Sequence, residues 1–201
     1  MIALVKVITS VAVRVTLTEI LRMIAIRKVV INMPKMNRLE FLGVYGEPMQ
    51  KICSEFGIPA SVCIAQAIIE SGWDEYCIGE YNVFGRKYNG TGARQDVVTQ
   101  EFINGDYVTV VDNFQVYGSI EEAVTDYCIL ITQDEKYAEV YALAKGELEP
   151  YVQALASVYA TAENDDHAYS KLILEIIAEN DLTEYDQPLG KKAPAKKKSN
   201  A

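Results

Sequence analysis

The stretch DVVTQEFINGDYVTVVDNF, residues 96–114, constrains the fold of this chain more than any other. Two β-rich runs flank Asn104-Gly105, a pair suited to a tight two-residue turn, so the segment reads as a β-hairpin. Along it Thr99, Glu101 and Ile103 share one face, and Val98, Gln100 and Phe102 share the other. The remaining patterned sequence after residue 37 has helical spacing. Leu39, Leu42, Met49, Ile52 and Phe56 mark a helix over 37–56, which Gly46 and Pro48 are expected to interrupt and Gly57 to close. Pro59 suits the first turn of a second helix, which carries Val62, Ala65, Ile68 and Ile69 and ends near Gly72. Residues 77–95 contain YNVFG and NGTG and read as loop. Beyond the hairpin, Ser119 and Glu122 form a capping-box pair at the head of a helix, and further helices are expected over 137–145, 150–159 and 168–180. The expected fold class is α+β, predominantly helical, with one hairpin inserted about halfway.

Charge divides the chain into three parts. Residues 1–38 hold seven Lys/Arg and one acid, a net of +6; residues 191–201 hold five lysines; residues 39–190 hold 7 basic and 27 acidic residues, a net of −20. So acidic a body repels phosphate and argues against nucleic acid as a partner. The tail KKAPAKKKSNA reads as solvated and disordered, or as a holdfast for a polyanion such as a cell-wall polymer. With 201 residues, half of them hydrophobic, the chain suffices for one domain with a proper core, and its composition argues against a disordered protein. The expected division is an extension over 1–36, one folded domain over 37–187 and the tail over 188–201.

The segment MIALVKVITSVAVRVTLTEILRMIAIRKVVIN is apolar, but Lys6, Arg14, Glu19, Arg22, Arg27 and Lys28 break it up. Its longest uncharged run, Val7–Val13, is too short to span a bilayer. Residues 1–32 therefore read as a membrane-surface helix, an atypical export signal, or sequence upstream of the real start. The last is favoured, because Met33 and Met36 stand just before the first well-patterned helix. Cys53, Cys63, Cys77 and Cys128 form no CxxC pair and lie far from the lone His167, so neither a zinc site nor any cofactor is expected. Cys53, Cys63 and Cys128 fall in helical patterns and read as small core residues.

Two carboxylates stand out. Glu70 ends an apolar helix, with Ile68 and Ile69 before it and Trp73 one turn on. Such surroundings disfavour the ionised form and raise the pKa, which suits a general acid. On residue type alone the bland reading, an exposed glutamate near a helix end, is favoured over the catalytic one. Glycosidases use two carboxylates. Glu101, an acid among β-formers, offers the second, while Asp96, Asp106 and Asp112 compete for the role.

Four motifs in order carry a resemblance: GIPASVCIAQAIIESGW, YNVFGRK, VVTQEFINGDYVTVVDNFQVYGS and VYAT. Over residues 37–186, ending near EYD, the chain resembles the peptidoglycan-cleaving N-acetylglucosaminidases of glycoside hydrolase family 73. The resemblance implies a lysozyme-like fold in which the hairpin forms the smaller lobe of a substrate groove. It implies Glu70 as proton donor, Glu101 as second carboxylate and Tyr159 as an active-site tyrosine. It implies that the loop of Asn82 and Phe84 lines the sugar groove. Trp73 reads as a sugar-stacking or a core residue, and Tyr117 and Tyr169 as mainly structural. The implied partner is a peptidoglycan glycan strand, met at the cell wall by a monomer. Departures from the family pattern are Asp74 in place of a glycine, Tyr81 in place of an asparagine, Gln115 in place of an arginine, and AENDDHA lengthening the link after YAT. A muramidase or lytic transglycosylase on the same fold, or a non-catalytic glycan-binding module, are the competing readings.

Overall fold

The structure is a computed structural model that describes residues 36–103, 106–159 and 168–186. The expectations for the N-terminal segment, His167, the AENDDHA link and the lysine-rich tail fall outside the described residues.

Helix α1 (Arg38–Phe56) opens on a capping box that the sequence reading missed. Asn37 Oδ1 accepts from Leu39 N and Glu40 N at 2.9 and 3.1 Å, and Glu40 Oε2 accepts from Asn37 N at 2.8 Å. The expected break does not occur, and α1 runs through both Gly46 and Pro48. Pro48 withdraws the N–H that would serve the Val44 carbonyl, but Val44 lies on the exposed side, where water can take its place. Gly46 is a packing residue, since a Cβ there would sit 2.7 Å from Cε1 of the Tyr185 ring. Gly57 ends the helix at φ 70°, as its position suggested.

Helix α2 (Ala60–Ser71) is central, and all twelve of its residues are buried. An N-cap of Pro59 offers no side-chain acceptor. Asp186, 125 residues on, supplies one: its Oδ1 accepts from Ser61 N at 2.8 Å. Asp186 belongs to a 3₁₀ turn (Leu182–Asp186) that packs on α1 and α2.

Strands β1 (Ala93–Ile103) and β2 (Asp106–Val116) form the expected antiparallel hairpin. Ile103 pairs with Asp106, so two residues connect the strands, while Glu101 pairs with Val108 and Val98 with Val111. Helix α3 (Ile120–Gln133) starts at Ser119, whose Oγ accepts from Glu122 N at 3.2 Å. The Glu122 carboxylate reaches Gly118 N at 2.7 Å, one residue earlier than a capping box requires. The helix expected over 137–145 is instead a 3₁₀ turn (Glu135–Tyr137) and a single α turn, α4 (Ala138–Ala142). Bonds from Leu143 N, Ala144 N and Gly146 N to carbonyls three residues back tighten the chain there. Helices α5 (Leu148–Tyr159) and α6 (Ala168–Glu179) complete the body. Phe41, Met49, Ile64, Phe84, Tyr127, Ile131, Leu155 and Ile173 are fully buried in one core. No described helix is long and apolar enough to cross a membrane.

Candidate active site

Glu70 lies in the last turn of α2, and its residue is 5 % exposed. A charged side chain so placed needs polar company. The Tyr169 hydroxyl, from α6, donates to Glu70 Oε1 at 2.9 Å. One turn before Glu70 on the same helix, Gln66 Nε2 donates to the Tyr169 oxygen at 3.1 Å. Gln66 Oε1 in turn accepts from the Tyr127 hydroxyl of α3 at 2.5 Å. Three helices thus converge on the carboxyl through a directed chain of hydrogen bonds. Burial, and then the charge of Glu70, push the Tyr169 phenol well above its ordinary pKa, so it stays protonated and donates. Tyr169 was expected to be structural, yet its hydroxyl touches the proposed acid. Gln66 was not singled out. The available signal was a long amide side chain four positions before Glu70 in a mostly apolar helix.

Tyr159 stands behind this arrangement. Its ring stacks on Tyr169 with centroids 6.2 Å apart and planes within 5°. Its hydroxyl makes a long 3.5 Å contact to the Phe84 carbonyl. Burial, followed by the charge of Glu70, also raises its pKa.

The chain after Glu70 turns sharply. Gly72, Trp73 and Asp74 all have left-handed φ, at 59, 61 and 71°. A glycine would suit the third position, and Asp74 holds it through its side chain. Asp74 Oδ1 accepts from the Tyr45 hydroxyl at 2.8 Å, and Asp74 N donates to Ser71 Oγ at 2.9 Å. Desolvation raises the Asp74 pKa, and bonds from Tyr45 and Cys77 oppose the rise. Trp73 is half-buried, edge-on to Phe41 with centroids 5.5 Å apart.

Asn82 is 1 % exposed and Phe84 fully buried, so neither side chain presents surface to a sugar here. Both side chains hold the loop. Phe84 stacks on Tyr127 with centroids 4.6 Å apart. Asn82 Nδ2 donates to the Arg86 and Gln115 carbonyls at 2.9 and 2.8 Å, and its Oδ1 accepts from Arg86 N at 2.8 Å. It therefore clamps the loop to the foot of β2. Gln115, in place of the family's arginine, is 7 % exposed and donates through Nε2 to the Thr91 carbonyl at 2.9 Å. Arg86 Nε and the Tyr117 hydroxyl both donate to Asp126 Oδ2, at 2.8 and 2.7 Å, tying the same loop to α3. Glu101 sits near the far end of β1, two residues before Ile103, whose pairing with Asp106 is the last before the turn.

All four cysteines are free thiols, with Cys53 Sγ and Cys128 Sγ 3.9 Å apart in the core. Among the described residues no group of three or more His, Cys, Asp or Glu is placed to hold a metal ion.

Residues 46–182 match the glucosaminidase family, described as mannosyl-glycoprotein endo-beta-N-acetylglucosaminidase. Over 141 residues the chain is 38 % identical to the peptidoglycan hydrolase FlgJ of Escherichia coli (strain K12), covering 66 % of this chain and 44 % of that one. Over 166 residues it is 32 % identical to an autolysin of Enterococcus faecalis, covering 77 % of this chain and 22 % of the relative. The chain thus spans less than half the length of these curated relatives. The solved glycoside hydrolase domain of FlgJ from Salmonella typhimurium superimposes with a TM-score of 0.56 at 29 % identity, covering 71 % of this chain and 97 % of that domain. A lysozyme-like body with one inserted hairpin, an acid wired into its central helix and a family match over two thirds of its length agree: the chain belongs to the glucosaminidase family of glycoside hydrolases.

Proposed function

We propose that this domain hydrolyses the β-1,4 bond after N-acetylglucosamine in peptidoglycan glycan strands, at the cell wall, with Glu70 as proton donor. The observation that carries the proposal is the placement of Glu70: 5 % exposed, at the C-terminal end of a wholly buried helix and held by the Tyr169 hydroxyl. A carboxyl so fixed can hand a proton to a glycosidic oxygen at a defined position. The glycan lies between the helical body and the hairpin. As the leaving oxygen takes the proton, positive charge develops on the sugar ring. Glu101 stabilises that charge or activates the incoming water. If the substrate's acetamido group is the nucleophile, Glu101 only assists it.

The test is digestion of purified peptidoglycan, borohydride reduction and mass analysis of the new ends. The expected result is reduced N-acetylglucosamine at those ends. Reduced muramic ends identify a muramidase, anhydromuramic ends a lytic transglycosylase, and the absence of new ends a binding module; each overturns the proposal.

A further inference from the structure

We propose that Gln66 and Tyr127 are positioning residues that hold Tyr169 as a donor to Glu70, reserving the acid's own proton for the glycosidic oxygen. This inference rests on the assignment of Glu70 as proton donor.

The argument is one of hydrogen-bond direction. A phenol carries a single O–H, so it can donate to only one partner. Tyr169 lies between two candidates, Gln66 at 3.1 Å and Glu70 Oε1 at 2.9 Å. With the Gln66 amide N–H pointed at the Tyr169 oxygen, the Tyr169 hydrogen goes to Glu70. With the amide turned over, Gln66 Oε1 would face Tyr169 and take its hydrogen. The Tyr169 oxygen would then accept the proton that Glu70 should deliver to substrate. The amide orientation therefore decides whether Glu70 is a ready acid or one spent on its neighbour.

Tyr127 completes that orientation from the other side, as the donor that the amide oxygen meets, while the Glu70 carboxylate draws the Tyr169 hydrogen. The Tyr127 hydroxyl donates to Gln66 Oε1 at 2.5 Å, so the amide oxygen is held on the α3 side and the amide nitrogen on the α6 side. Tyr127 is itself fixed, fully buried and stacked on Phe84. Gln66 is fully buried too, so water does not compete for either end of its amide. Other titratable groups act on this chain of bonds: Tyr159 of α5 feels the charge of Glu70, Tyr137 and Arg86 act on Tyr159, and Tyr151, Cys53 and Cys63 act on Tyr127. None of them replaces the Gln66 amide in the chain. The arrangement also explains why Phe84 is a core residue: it braces Tyr127 from behind.

The experiment compares Tyr127→Phe, Gln66→Met, Tyr169→Phe and the double variant Tyr127→Phe/Tyr169→Phe with the parent chain. It reads kcat, KM, the alkaline limb of the pH–rate profile and the titration of the Glu70 carboxyl carbon by NMR. Tyr127→Phe keeps the ring and its stacking, and is expected to lower kcat about tenfold with KM unchanged, as for one lost orienting hydrogen bond. The alkaline limb and the NMR midpoint should both move to higher pH, because a donor to the carboxylate has been weakened. In the Tyr169→Phe background, Tyr127→Phe should have no further effect. Tyr141→Phe, which removes a phenol hydroxyl bonded to the Phe56 carbonyl away from this chain, serves as control and should move neither limb nor midpoint. A Tyr127→Phe chain with parental kcat, limb and midpoint overturns the inference, as does a full additional loss in the double variant. The NMR midpoint separates the two levels of the account. If it moves in Tyr127→Phe while Glu70→Gln remains fully active, the hydrogen-bond chain stands but the assignment of Glu70, and with it the reservation of the proton, is overturned.

Discussion

The two proposed carboxylates sit in regions built in opposite ways. Glu70 belongs to a helix buried on every side, and its carboxyl is reached by a bond chain drawing on three helices. Glu101 belongs to a hairpin whose strands contact each other far more than any helix. The hairpin is fastened at its foot, where Asn82, Gln115 and the Lys87–Asp112 ion pair gather, and Glu101 lies near its other end. The difference teaches a division of labour. Under the proposed roles, the proton donor is set in the buried body, and the group proposed to meet the developing charge is carried at the far end of an arm with few contacts to the helices.

The comparison is most exposed to a pair of substitutions. Glu70→Gln should lower the initial rate on purified glycan on the order of 10³-fold, while Glu101→Gln should cost about 10²-fold. Equal losses would break the proposed asymmetry. Next in size is Asn82→Ala, which strands three polar partners at the hairpin foot and should cost about 2–4 kcal/mol of stability by denaturant titration. Hydrogen exchange should rise across β1 and β2 well before it rises in α2. Parallel increases in both regions would show that the hairpin is not a separately fastened unit.

A smaller effect is expected on the body side. Asp74→Ala leaves the buried Tyr45 hydroxyl without its acceptor and puts alanine at φ 71°, a loss of about 2 kcal/mol in thermal unfolding. Asp74→Asn keeps an acceptor and tolerates that backbone, so it should stay within about 1 kcal/mol of the parent chain. The same variant tests pH dependence. The Asp74 pKa is raised in the folded state, so the folded chain binds more protons than the unfolded one. Its contribution is fully present below the unfolded value near 3.8 and is lost as pH rises through the raised folded value. Asp74→Asn should flatten that part of the stability–pH curve; an unchanged curve contradicts the assignment. The smallest effect is predicted for Tyr151→Phe. The Tyr151 hydroxyl is buried without a partner among the described residues, so its removal should be neutral or stabilising by up to about 1 kcal/mol.

What could be read in the sequence was what is encoded locally. The Asn104-Gly105 pair announced the hairpin, and Gly57 and Gly72 announced the ends of α1 and α2, because each depends on a backbone preference of one or two residues. The misreadings came from contacts that are distant in sequence. Gly46 reads as a break because nothing near it in sequence shows that Tyr185, 139 positions later, needs the space. The cap of α2 was invisible because Pro59 has none to offer and Asp186 supplies it from the far end of the domain. The bond from Tyr169 to Glu70 is hidden for the same reason, since it spans 99 positions. The burial of Asn82 and Phe84 is set by packing against Gln115 and Tyr127, which the loop's own sequence does not show.

The central claim is that Glu70 delivers a proton to the leaving oxygen. It is tested most directly by measuring kcat/KM for the parent chain and Glu70→Gln on two chitooligosaccharide substrates. One has a sugar leaving group and the other a dinitrophenolate, which departs without protonation. The account predicts a loss of about 10³-fold on the first substrate and less than about tenfold on the second. Equal losses on both would contradict it, because a group whose absence is felt regardless of the leaving group is not the proton donor.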